Sequence, residues 1–240
     1  MLDDLPDLTE DERAMAARTW RGRMVNEHVS AAVFAGLIPK MMRAAVDPAW
    51  IAAAATMAAD ELRHAEQCAG VVAALGHAPI ALLPPIEPLP DHADVGPLEG
   101  LLRDLISVGC MSETVAVAVI RAEQAELDGT TLGGVLARIL ADEVQHARFG
   151  WMLLGALAPA LDDASRARLS DWLEVAFAHQ LEWELPKLPV HLGLRAEVAA
   201  AGVCDGSLAR ELLFETLGGL VVPQLEAAGL AAKAAWSKVA

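Results

Sequence analysis

Tyrosine is missing altogether from this 240-residue chain, and all aromatic residues together make up only 4%. Chemistry that rests on a tyrosyl radical is therefore excluded. Basic residues are scarce as well: 18 Lys and Arg face 33 Asp and Glu, a net charge of −15. Such a balance repels phosphate backbones and anionic headgroups, so neither nucleic acid nor a membrane surface is an expected partner. The three cysteines, Cys68, Cys110 and Cys204, are an odd number without a C-x-x-C pair. Neither a disulfide framework nor thiolate-ligated iron is expected, and a reducing cytoplasm fits best. The start, Met1 to Asp7, lacks the basic and apolar regions of a secretory signal, so export is not indicated. The uncharged stretch 68–86 is broken by Gly76, Pro79, Pro84 and Pro85, which rules out a regular membrane helix there.

What is present is apolar and helix-favouring. Hydrophobic residues are 55% of the chain, dominated by alanine and leucine, enough for a substantial core in one domain with an appendage. Thr9-Glu10-Asp11-Glu12 has the form of a capping box and predicts a first helix running through Glu27 to Pro39 or slightly beyond. Asp47 before Pro48 is an N-cap followed by proline at the first helical position, and it opens a second helix lasting to about Gly76. Five prolines then fall within 76–96, which reads as a long extended crossover. A third helix is predicted from Pro97 to about Leu127 and, after a short turn at Asp128-Gly129-Thr130, a fourth from about Leu132 to Leu157. In helix bundles a long second link joins helices that run parallel. The expected architecture is all-α: a four-helix bundle over 1–160, with 161–240 as appended helices at about 165–184 and 207–228 packed on it, joined by a loop at 185–206.

Two fragments repeat within this frame. Asp60-Glu61-Leu62-Arg63-His64 and Asp142-Glu143-Val144-Gln145-His146 are each D-E-x-x-H on a predicted helix. With 18 Glu and 7 His, about half of one Glu-x-x-His would arise by chance, so the doubled occurrence in matching context carries the weight. Residues three apart share a helix face, so each motif aims a carboxylate and an imidazole at one point. Each also has a lone glutamate upstream on the preceding helix, Glu27 before Glu61 and Glu113 before Glu143. All four glutamates lie on apolar stripes, with Met24, Ala31 and Phe34 around Glu27, Met57 and Cys68 around Glu61, Cys110, Val117 and Ile120 around Glu113, and Ile139 and Gly150 around Glu143. Four ionised carboxylates in a core are very costly unless compensated, and two divalent cations would neutralise them. The expected metal ligands are Glu27, Glu61, His64, Glu113, Glu143 and His146. Asp60 and Asp142 are expected to accept from the far ring nitrogens of His146 and His64 respectively. His28, His77, His92, His179 and His191 are expected to be non-ligands, and Glu66, Glu123 and Glu126 to be solvated or ion-paired.

On these residues the chain resembles the ferritin-like di-iron carboxylate superfamily over about 15–157. The resemblance implies Glu61 and Glu143 as bridging ligands, Glu27 and Glu113 as terminal ones, and one imidazole per metal from His64 and His146. It implies two iron ions, although an O/N ligand set also admits manganese or a mixed pair. Several subfamilies fit poorly. Ribonucleotide reductase small subunits need the missing tyrosine, ferritins generally lack the second complete Glu-x-x-His, rubrerythrins carry a glutamate where Ala116 stands, and aryl-amine N-oxygenases a histidine where Ile139 stands. The implied activity is that of an oxidase or oxygenase that uses O₂ and an external electron donor to oxidise a small or apolar organic substrate, with Cys110 a candidate lining residue or a buried structural thiol. A ferroxidase or iron-binding protein, a peroxide-detoxifying protein, and a bundle that binds nothing are the rival readings. Homo-oligomerisation is left open.

Overall fold

In the computed structural model, which describes residues 4–191 and 193–240, every regular element is helical. Helix α1 spans Glu10–Arg43 and opens on the Thr9 capping box, with Glu12 reaching back to the Thr9 amide at 2.9 Å. It continues one turn past Pro39. Helix α2 spans Pro48–Ala74, N-capped by Asp47, whose carboxylate accepts from the Ala49 amide at 2.8 Å. Gly76 then takes φ +81°, a conformation that favours glycine, and the chain leaves the helix. The third rod is not one uniform α-helix. It comprises α3 (Pro97–Leu105), a π segment Ile106–Ser112, and α4 (Glu113–Glu126). Helix α5 spans Thr131–Leu157 behind the Thr130 cap.

The apolar side chains fall into two clusters, and their order along each rod gives its direction. One contains Trp20, Cys68, Val72, Ile120, Leu136 and Ile139; the other contains Phe34, Met57, Leu101, Cys110, Met111 and Phe149. Passing from the first to the second, α1 and α5 run with rising residue number, whereas α2 and the α3–α4 rod run with falling number. The last two are thus parallel, so 77–96 must travel back along the molecule, as expected of its extended, proline-rich sequence. Its far end is fastened by buried charge. Lys40 bonds to the Pro90 carbonyl and to Asp104, His92 Nε2 lies 2.9 Å from Asp104 Oδ1, and Arg103 holds Asp94 at 2.9 Å.

Residues beyond 160 form α6 (Asp163–Glu184), the short α7 (Ala196–Ala200), α8 (Gly206–Thr216), a second π segment (Leu217–Val221), α9 (Val222–Ala227) and α10 (Ala232–Trp236). The predicted loop at 185–206 therefore contains a helical turn, and the last helical turn was not legible from its sequence. Leu173, Phe177, Leu213, Leu217 and Leu225 share the second cluster with Cys110 and Met111, so this region packs on the four rods. One stretch, Pro97–Glu126, is long and apolar enough by length and composition to cross a bilayer; half of its most apolar window is buried inside the protein.

Candidate metal centre

Between the two apolar clusters lies one polar layer. On α1 it falls between Trp20 and Phe34, on α2 between Met57 and Cys68, on the third rod between Met111 and Ile120, and on α5 between Ile139 and Phe149. The residues there are Glu27, Glu61 and His64, Glu113, and Glu143 and His146, none more than 9% exposed. They fall into two overlapping groups able to hold a metal ion: Glu27, Glu61, His64 and Glu143; and Glu61, Glu113, Glu143 and His146. Within each group one ligand atom per residue lies within 4.8 Å of all the others. Glu61 and Glu143 belong to both, and so sit between the two positions.

The histidines face inward with the same nitrogen. His64 Nδ1 stands 3.3 Å from Glu143, 3.5 Å from Glu61 and 3.6 Å from Glu27. His146 Nδ1 stands 3.2 Å from Glu61, 3.4 Å from Glu143 and 3.7 Å from Glu113. Their outward nitrogens meet the aspartates across the helix pair: His64 Nε2 is 3.2 Å from Asp142 and His146 Nε2 is 3.4 Å from Asp60. A carboxylate there fixes a proton on Nε2 and leaves Nδ1 to the centre. Both inward Nδ1 atoms, with Glu61 Oε2 and Glu113 Oε2, are buried without a well-formed hydrogen bond. Natural interiors seldom leave such atoms unpaired, because each costs about 1–3 kcal/mol or more when charged. Four orphans converging on one layer are what a cation would satisfy.

Without a cation the charges balance through protons. Burial, reinforced by the charges of Glu61 and Glu143, pushes Glu27 up to about 8 and Glu113 well above the usual carboxylate range. For Glu61 and Glu143 burial pulls the same way, but the two imidazoles outweigh it and leave both carboxyls lowered. Burial opposes protonation of the histidines, yet the surrounding carboxylates raise His64 strongly and push His146 up to about 10. In the metal-free layer protons are thus drawn to Glu27, Glu113 and the two imidazoles and away from Glu61 and Glu143.

Other features were less legible. Arg63, inside the first motif, pairs with Asp60 and reaches Asp142 at 3.3 Å, tying together the two aspartates behind the histidines. Its i,i+3 spacing from Asp60 was readable; its reach to Asp142 needs the α2–α5 contact. Phe34 packs edge-on against His146 with ring centroids 5.4 Å apart. Cys110 is fully buried in the apolar cluster, and burial raises its thiol pKa. Glu66 and Glu126 are exposed, and Glu123 pairs with Arg23 at 2.7 Å. His28, His77, His92, His179 and His191 lie outside both groups. Two cavities are lined by other residues: one of about 350 Å³ beside Glu123, Cys204 and Leu208, and one of about 530 Å³ between α1 and the crossover at Gly36, Lys40 and Leu89. No protein-family model matches the chain, and a search of curated proteins returns no match.

Proposed function

We propose that the chain is a ferritin-like four-helix bundle holding two iron ions, and that it is an oxidoreductase using O₂. The observation that carries this reading is the set of orphaned inward atoms on His64, His146, Glu61 and Glu113, backed on the outside by Asp142 and Asp60. Glu61 and Glu143 would bridge, Glu27 and Glu113 would each serve one ion, and the two Nδ1 atoms would complete the set. When bound, the two ions supply redox equivalents and Lewis acidity for the reduction of O₂.

The chain's own residues prepare that chemistry. Asp142 and Asp60 hold the Nε2 protons, which keeps Nδ1 the basic nitrogen and fixes the ring planes. Arg63 pairs with Asp60 and reaches Asp142, which holds these two carboxylates in place. Apolar packing from Phe34, Ile139 and Met57 excludes water and so strengthens every charge interaction within the layer. Glu27 and Glu113 carry protons until cations arrive and are then free to ionise.

An oxygenase of this kind would draw electrons from an external donor and act on a small or apolar organic molecule. A second reading, a ferroxidase or peroxide-consuming protein, is favoured by the close packing of Phe34 on His146 and by the lining of both cavities by other residues. One experiment separates the two. The metal-free protein is loaded anaerobically with two equivalents of Fe(II), excess Fe(II) is added, and O₂ is introduced. The oxygenase reading expects oxidation to stop after about one round and to resume with an external reductant. Sustained turnover of the excess iron would replace it with the ferroxidase reading.

A further inference from the structure

The π segment Ile106–Ser112 ends at Glu113, whose own amide donates to the Val108 carbonyl five residues back. A wider turn of this kind absorbs an extra residue, and one residue more or less in a helix rotates everything downstream by about 100°. The direction in which Glu113 points thus depends on this segment keeping its wide turns. Two contacts hold it. On one side Gly109 meets Gly150 of α5 so closely that a Cβ on Gly150 would lie 2.3 Å from the Gly109 carbonyl oxygen. On the other side stand α6 and the second π segment, both from the region beyond residue 160.

The polar link on that second side is specific. Ser112 Oγ lies 3.1 Å from the Ser107 carbonyl, five residues back, and 3.0 Å from Gln180 Oε1 on α6. A hydroxyl has one proton to share between these two acceptors. Gln180 is only 3% exposed, and its Nε2 is buried without an acceptor. A half-turn of the amide, which leaves its shape unchanged, lets Nε2–H donate to Ser112 Oγ and commits the serine proton to the Ser107 carbonyl. Either way the only side-chain hydrogen bond of Gln180 among the described residues goes to the residue that precedes Glu113.

We propose that Gln180 is a positioning residue: acting from α6 through Ser112, it holds the π segment in the phase that aims Glu113 at the carboxylate–imidazole layer. The region beyond residue 160 is in this way part of the apparatus that builds one of the two metal positions, the one with Glu113 and His146, and not the other. The inference rests on the dimetal reading for its measurement, and the experiment keeps the two apart.

Mn(II) alone is titrated anaerobically into full-length metal-free protein, in the unaltered chain and in His64→Ala and His146→Ala backgrounds that each retain one imidazole position. Gln180→Leu is expected to weaken the Glu113–His146 position about 10-fold or more and the Glu27–His64 position by less than about 3-fold. Ser112→Ala should do the same, Ser112→Thr should restore binding, and the Gln180→Leu, Ser112→Ala double variant should be no worse than either single one. Should Gln180→Leu fail to fold, the Ser112→Ala and Ser112→Thr pair carries the comparison. Equal weakening of both positions, or unchanged affinity at both, overturns the inference while leaving the dimetal reading intact. Failure of the unaltered chain to bind Mn(II) rejects the dimetal reading and the positioning role with it.

Discussion

Binding of two divalent cations should expel about four protons from the protein near neutral pH. The perturbation is metal addition to the metal-free layer, whose packing raises Glu27, Glu113, His64 and His146 and so favours a proton on each, and lowers Glu61 and Glu143. Each cation must displace one carboxyl proton and one imidazolium proton from its own position. The incoming charge is then matched by the outgoing charge, and the buried layer stays neutral, as its apolar surroundings require. Two protons per cation mean that the apparent affinity of each position rises about 100-fold per pH unit, or about 2.7 kcal/mol, for as long as the pH stays below the Glu27 value near 8. The assay is a pH-stat titration of metal-free protein with Mn(II) between pH 6 and 7.5, checked by calorimetry in two buffers of different ionisation enthalpy. Release of two protons or fewer would show that Glu27, Glu113, His64 and His146 do not all carry protons in the metal-free core, and the account of how this layer tolerates four carboxylates would fall.

The remaining expectations concern stability and the supporting residues. Glu61→Ala together with Glu143→Ala should abolish stoichiometric metal by elemental analysis, because both groups share these two carboxylates; full occupancy would sink the ligand assignment. Asp142→Ala should lower metal affinity by roughly 10–100-fold with an unchanged far-UV circular dichroism spectrum. Metal-free protein should lose thermal stability as pH rises from 6 to 8. Glu27, Glu113, His64 and His146 bind protons more tightly folded than unfolded, so their contribution is complete at low pH and is lost as pH climbs through the folded values. Metal-loaded protein should show the opposite trend over the same range, and parallel trends would contradict the proton balance. Gly150→Ala should destabilise by about 1–3 kcal/mol in urea unfolding, because the added methyl meets the Gly109 backbone rather than a side chain that can turn away.

Local geometry was legible in the sequence. Capping at Thr9, Asp47 and Thr130 and proline at Pro48 and Pro97 started the helices where they start, because those signals act within a few residues. The i,i+3 spacing of Glu61 with His64 and of Glu143 with His146 likewise placed each pair on one face before any packing was known. Other features depend on residues far apart in the chain and emerge only once the helices pack. No local rule announces that Ile106–Ser112 would widen into a π segment; the contacts made there, Gly109 on Gly150 and Ser112 with Gln180 68 residues away, join parts of the chain far apart in sequence. Nor does any local rule say which nitrogen of each histidine faces the centre. That follows from Asp142 standing behind His64 and Asp60 behind His146 across the α2–α5 contact. The proton balance is of the same kind, since a carboxyl is raised or lowered by how deeply packing buries it and by which imidazole packing places beside it.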